Sequence, residues 1–242
     1  MEPRFRWLLV AAVVAAALAA ITLLASGAGV RTGLWTYRTG LGMMRWVALL
    51  AIAGLVLAAI ALAVTRPAGP RAALLLGALA VSGAVFWVPW QIARRAKAVP
   101  AIHDITTDTA EPPAFVAVLP LRASAANPAE YGGPEVAAQQ AKAYPDVRPL
   151  YLAASPGDAF RKALDAARAQ GWTIVAQDPA AGRIEATSTT RWFGFKDDIV
   201  VRVRPDATGS RVDVRSVSRV GKSDLGTNAR RIRDYLARLA GG

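Results

Sequence analysis

Three stretches of about twenty residues, each free of ionisable side chains, decide most of what this chain can fold into. They run from Trp7 to about Ala25, from Trp46 to Thr65 and from Ala72 to about Ile92, and are mostly Ala, Leu, Val, Ile and Gly. A helix of ~20 apolar residues crosses a hydrocarbon layer of ~30 Å, so residues 1–97 read as a membrane domain with three transmembrane helices. Arginines bracket the runs, and Trp7, Trp35, Trp46, Trp87 and Trp90 fall near the expected interfaces, where an amphipathic ring sits well. Ion and proton pathways need ionisable groups at membrane depth, and these spans have none. A cleaved signal peptide is the alternative for the first run, which Arg4 and Arg6 precede. Signal-peptide apolar cores span only ~7–15 residues, so a retained span is expected.

Charge is just as unevenly spread. The 242 residues carry 29 Lys and Arg against 17 Asp and Glu, for a formal net charge of +12, and there is no cysteine. Residues 1–97 hold ten of the basic residues and one acid, Glu2. Most of the excess is therefore juxtamembrane arginine, suited to anionic headgroups. Nucleic-acid binding would need the excess on the soluble part and is not expected. The lack of cysteine excludes disulfides, thiolate nucleophiles and Cys-type metal sites. Arg31, Arg38, Arg45, Arg94, Arg95 and Lys97 share one side of the membrane, and Arg4, Arg6, Arg66 and Arg71 the other. Positive-inside counting leans towards a cytoplasmic tail, but by a margin of two, which leaves the side of the soluble domain undecided.

Residues 98–150 read as a proline-rich arm. Eight prolines from Pro100 to Pro149 forbid long regular elements, and one short helix is expected near Glu135–Ala143. Residues 151–242 read as an α+β soluble domain. Ser155 stands as N-cap with Pro156 at the first helical position and Asp158 three residues after the cap. Phe160, Ala163, Leu164 and Ala167 form the apolar face of that helix, and Gly171 ends it. Four alternating runs follow: "WTIVAQD", "RIEATSTTR", the stretch after Phe195, and "RVDVRSVSRV". A last helix over about 223–239 carries Leu225, Ala229, Ile232, Leu236 and Leu239 at helical spacing. The order α-β-β-β-β-α with short turns predicts an antiparallel four-stranded sheet. Its apolar face lies under the two helices and its other face is left polar and free.

Two stretches could carry chemistry. In "RWFGFKDDIVVRV" (191–203), Trp192, Phe193 and Phe195 read as aromatics plugging the rim of the core, and Lys196, Asp197 and Asp198 as turn residues. The sharper reading adds Arg202, Arg204, Arg211, Arg215 and Arg219 on one sheet face, as an ion-pair network or a basic face for phosphate or carboxylate. In "SRVGKSDLGTNARRIR" (218–233), Lys222, Asp224 and Asn228 precede or open a helix, where an anion would be favoured. There, capping by Ser223 and Asp224 is the plainer reading. The G-x-x-x-x-G-K-[ST] pattern is absent, because Ser216 stands where its first glycine belongs. His103, the one histidine, lies in the arm beside Asp104 and Asp108 and reads as part of local turns. Neither a catalytic residue, a metal site nor a cofactor is expected. The candidate ligand-binding residues are Trp192, Lys196, Asp197, Asp198, Arg202, Arg215, Arg219, Lys222, Asp224 and Asn228.

Several of these motifs occur together in one known family. "HDITTD" (103–108), "AYPDVRPL" (143–150), "GW" (171–172), "IEATSTTRWFGFKDDIVVRV" (184–203) and "VDVRSVSRVGKSDLGTNARRIR" (212–233) resemble the bacterial and plastid family called domain of unknown function 1499, over about residues 100–240. The resemblance implies little about mechanism; it implies an envelope or thylakoid protein, of which the bacterial cell envelope is the expectation here, and this pulls against the arginine count. The α-β4-α order is also similar to the helix-grip domains of an outer-membrane assembly lipoprotein, at the level of fold alone.

The function expected is that of an integral, multi-pass protein of a bacterial inner (plasma) membrane. Its soluble domain would act as a binding or scaffolding module for a protein partner or a lipid-like ligand. The alternative is an enzyme acting on a membrane-proximal anionic substrate, using Asp197 or Asp198 with Arg215 and Arg219.

Overall fold

A computed structural model describes residues 5–241; Glu2 and Arg4, counted in the charge argument, lie outside them. Two compact units emerge. One contains the residues up to Arg94 together with Arg191–Gly194, and the other contains Arg95–Thr190 and the residues from Phe195 onward.

The helical unit is built on α1 (Arg6–Arg31), α2 (Tyr37–Thr65) and α3 (Pro70–Ala98), all long and apolar enough to cross a membrane. Small residues let α1 and α2 approach closely. Gly40 lies against Val30 and the Ser26 carbonyl, and a β-carbon at Gly54 would meet the Ala16 backbone and the Ser82 hydroxyl. Leu75 and Ala78 of α3 join Leu8, Ala12, Ala16, Ala58 and Ala61 in one buried cluster. Val10, Ile21, Leu24, Leu49 and Leu76 face outward, as lipid-facing side chains do.

The short segment Arg191–Gly194 belongs to this unit and not to the sheet core, which corrects the reading of its aromatics. A β-carbon at Gly27 would overlap the Trp192 indole, and Phe193 lies beside Gly40. Arg31 donates to the Arg191 carbonyl at 2.6 Å. Glycine at position 27 thus leaves room for an indole that any other residue would displace. The chain passes the bend through Gly194 at φ 69°, a left-handed conformation suited to glycine.

The second unit is an α+β domain on an open antiparallel sheet. Its elements are β1 (Asp104–Thr106), a 3₁₀ turn (Pro120–Arg122), α4 (Gly133–Ala143), β2 (Leu150–Leu152), α5 (Pro156–Ala169), β3 (Thr173–Asp178), β4 (Arg183–Thr189), β5 (Lys196–Asp206), β6 (Gly209–Ser218) and α6 (Thr227–Gly241). The last four strands form the expected meander. The sheet has six strands rather than four, because β1 from the proline-rich arm and β2 at the arm's junction with the domain both pair with the outer edge of β6. Two three-residue strands fall below the length at which alternation can be read from sequence.

Alternation places Ile184, Ala186, Ile199, Val201, Val203, Val212 and Val214 on one face, where they pack with Phe160, Ala163, Ala167, Ile232 and Leu239 of α5 and α6. Ser155 caps α5 by accepting from the Asp158 amide at 3.2 Å. Trp172 stacks on Tyr235 at 4.8 Å, and the Tyr235 hydroxyl donates to the Ala163 carbonyl at 2.9 Å. That bond ties α6 to α5 across the core. Helix α6 starts at Thr227, later than expected. Leu225 (φ 54°) and Gly226 (φ 76°) are left-handed, and two such residues in succession cannot sit in an α-helix.

Candidate functional site beneath the strap

The second sheet face was expected to be free, and it is not. Residues 107–131, between β1 and α4, cross it as a strap. Phe115 and Val118 bury against Val200 and Val217, with Val175 and Ala129 beside them. Ahead of the 3₁₀ turn the strap bends at Val116 into a hydrogen-bonded turn, and the first amides of such a turn lack internal partners. Glu185 of β4, only 1% exposed, supplies them. Its carboxylate accepts from the amides of Val116 (3.1 Å), Ala117 (3.0 Å) and Val118 (2.9 Å), and Arg183 lies 3.1 Å from it.

Three ion-pair groups hold the strap down. Asp198 of β5 accepts from Arg122 of the strap at 2.7 Å, from Arg219 at 2.8 Å through both Nε and Nη2, and from Thr187 at 2.7 Å. Arg122 also donates to the Asn127 and Pro128 carbonyls, and Arg219 to that of Leu121. Burial pushes the Asp198 carboxyl upward, but hydrogen bonds from Arg219, Thr187 and Arg122 outweigh it, and its pKa lies below the usual range. The second group joins Asp108 and Glu111 of the strap to Arg202, Arg204, Arg211 and Asp213 of the sheet. Burial again works against ionisation of Asp108. The Glu111 amide and the charges of Arg211 and Arg202 prevail, and the pKa falls.

The third group surrounds Arg215, which is 3% exposed. It grips Asp104 of β1 through two bonds of 2.9 and 2.7 Å and donates to the Pro113 and Ala129 carbonyls. Its guanidinium also lies over the rings of Phe115 (5.2 Å) and Tyr131 (5.5 Å). Next to it opens a cavity of about 380 Å³, lined by Pro112, Ala114, Phe115, Leu119, Ala129, Glu130, Tyr131 and Arg215. That volume is at the small end of ligand sites, which run ~300–1,000 Å³. The Tyr131 hydroxyl is buried without a hydrogen-bond partner, an arrangement that costs about 1–3 kcal/mol. Burial chiefly, with the charge of Asp104, raises its pKa to about 12, against the opposing pull of Arg215.

Residues 104–239, more than half the chain, match the family model described as Protein of unknown function (DUF1499). The chain belongs to this family. No curated protein matches it. In this DUF1499 domain the matched stretch opens at Asp104, the partner of Arg215, and takes in the strap, the whole sheet and nearly all of α6.

Of the ten candidate residues, the domain brings Asp198, Arg202, Arg215 and Arg219 together on the strapped face. Asp197, Asp224 and Asn228 lie on the helix side. Asp197 accepts from Arg231 of α6 at 2.6 Å. Asn228, fully buried, donates to the His103 carbonyl and the Ser218 hydroxyl and accepts from Ser216 and Arg231. Asp224 accepts from the amides of Gly226 (2.8 Å) and Asn228 (2.7 Å), so the chain's own carboxylate fills the anion position at the start of α6. Burial holds the Asp224 pKa above its ordinary value. Lys196 and Lys222 are exposed, and Trp192 sits in the helical unit.

Sequence reasoning missed Glu185, Arg122, Phe115 and Tyr131. One signal was available: "FVAVLPL" (115–121) is an apolar run inside a proline-rich arm, and such a run must bury against something. Among the described residues, no three His, Asp or Glu side chains are grouped to hold a metal ion.

Proposed function

We propose that this DUF1499 protein is a membrane-anchored, non-enzymatic binding module whose ligand enters the cavity between strap and sheet. One observation carries the reading. The carboxylates and guanidinium groups of the strapped face are paired with one another, while beside them opens a cavity walled mostly by Pro112, Ala114, Phe115, Leu119 and Ala129. A general acid or base needs a pKa near working pH and a path to substrate. Asp198 has a lowered pKa and four donors, and Asp197 points to the other face, which favours binding over catalysis. The three apolar helices support anchorage, here assigned to a bacterial inner membrane, with the domain working at the bilayer surface.

The test uses the full chain, extracted from its native membrane in mild detergent, washed, and analysed for retained small molecules by mass spectrometry. A discrete species should survive washing of the wild type and be absent from Ala114→Trp, in which an exposed rim alanine becomes large enough to fill the cavity. Absence of any retained species, together with chemical turnover of a membrane extract, would overturn the binding reading in favour of an enzyme.

A further inference from the structure

We infer that the outward face of α2 binds an anionic phospholipid, with the phosphodiester held between Arg38 and Arg45 and an acyl chain along Leu49, Ile52 and Val56. The inference rests on the membrane anchorage proposed above and is independent of the strap cavity. Arg38, Gly42, Arg45, Leu49, Ile52 and Val56 succeed one another at spacings of four and three residues, which sets them in one straight row along a helix. All six are exposed, Leu49 to 56%, Ile52 to 43% and Val56 to 50%. The buried residues of α2, from Gly40 and Met44 to Ala58 and Ala61, lie on its other side.

The row joins two kinds of chemistry. Its first part is cationic, and the protein supplies nothing to neutralise it. No Asp or Glu stands between Glu2 and Asp104, and among the described residues neither arginine has a carboxylate partner. Arg38 donates from Nε to the Tyr37 hydroxyl at 3.3 Å, and the Arg45 guanidinium lies 5.1 Å from the centre of the Trp46 ring. These contacts orient the two groups and leave their terminal nitrogens, the fork that suits a phosphate. Between them a β-carbon at Gly42 would meet nothing within 4 Å, so the space is open. A zwitterionic headgroup brings its own cation and an anionic one does not, which decides the class. Trp46, 52% exposed, marks the level where headgroups give way to hydrocarbon, and below it the row is aliphatic.

The test uses full-length protein in phosphatidylcholine vesicles that carry a trace of photoreactive phosphatidylglycerol or photoreactive phosphatidylcholine with the same diazirine-bearing chains. Crosslinks are mapped by mass spectrometry. The phosphatidylglycerol probe should label Leu49, Ile52 and Val56 many-fold more than the phosphatidylcholine probe. Leu24 of α1, 67% exposed and in the same half of the membrane, should be labelled alike by both. Arg38→Gln and Arg45→Gln should each reduce the excess about fivefold, the effect of one cation near an anionic headgroup. Gly42→Leu keeps both charges, suits a helix better than glycine and fills the space between the guanidiniums, so it too should cut the excess several-fold. An excess that survives Gly42→Leu, or appears equally at Leu24, reflects diffuse attraction and overturns the inference, as does equal labelling of the row by the two probes. Loss of the excess in inorganic phosphate, but not in sodium chloride of equal ionic strength, makes the row a site for free phosphate and overturns the lipid assignment. No crosslink from either probe on any of the three helices would overturn the anchorage itself.

Discussion

Asp197 and Asp198 are consecutive in β5, yet their carboxylates leave opposite faces of the sheet: Asp197 meets Arg231 of α6 at 2.6 Å, and Asp198 meets Arg122 of the strap at 2.7 Å. The pair read from the sequence as turn residues lies inside strand β5, paired on both sides, and is two separate anchors. One fastens a helix to the sheet and the other fastens the strap. A strand alternates its side chains, so neighbouring residues cannot converge on one ligand.

Asp198→Asn tests that assignment directly. The substitution keeps the shape but leaves Arg122 and Arg219 facing a neutral group in a site where Asp198 is fully buried. Breaking a buried pair by removing one charge costs about 3–5 kcal/mol, so the melting temperature of the full chain should drop by several degrees or more. Circular dichroism of detergent-solubilised protein reads this. An unchanged melting temperature with loss of a cellular phenotype would instead make Asp198 a reacting group.

Stability should depend on pH in a definite direction. Asp108, Glu111 and Asp198 all have pKa values lowered in the fold. Each therefore contributes stability that is complete above its unfolded value, about 4, and is lost as pH falls through the lower folded value. Asp224 has the opposite sign. Its raised pKa means that ionisation costs stability as pH rises through that value. With Asp146, which Arg233 also holds below its ordinary value, four lowered carboxylates against one raised should make the domain acid-labile below about pH 4. Thermal melts from neutral pH down to about pH 2 should show this, with a shallower loss in Asp108→Asn. Stability that is flat or rising towards acid would contradict the network.

The sequence made the meander and its two helices legible because long strands alternate visibly and Ser155, Gly171 and the valine rows are local signals. The arginine row from Arg202 to Arg219 was legible for the same reason. What covers it was not, because a strap is defined by contacts across long stretches of chain. Glu185 pairs with amides nearly seventy residues earlier, at Val116–Val118, and nothing near Glu185 announces that. Tyr131 was invisible too, since a lone tyrosine in a Gly-Pro stretch says nothing about whether its hydroxyl will find a partner.

The hold of Glu185 on the strap can be measured amide by amide. Glu185→Gln keeps one acceptor oxygen but removes the charge that serves three N–H groups. Hydrogen exchange at Val116, Ala117 and Val118 should then accelerate by about tenfold or more, because a hydrogen bond to a charged group is worth ~1.5–3 kcal/mol. Exchange at Val201 and Val214 in the sheet interior should barely change. Acceleration spread evenly over the domain would show that Glu185 supports the whole fold rather than the strap.

The side on which the domain works decides which ligands it can meet. Six basic residues flank the spans on the side of the soluble unit and four on the other, a count that leans towards a cytoplasmic domain by the positive-inside rule but by a margin that leaves the side to be decided by experiment. Because the chain has no cysteine, Ala180→Cys in the exposed turn between β3 and β4 creates a single thiol. A membrane-impermeant maleimide offered to cells with a permeabilised outer layer should leave it unlabelled, and labelling should appear only after lysis. The ligands it could sample would then be those of the cytoplasm and the inner leaflet. Labelling before lysis would overrule a margin of two arginines and set the strap cavity on the envelope side, where lipids in transit between membranes become the natural candidates for its apolar walls.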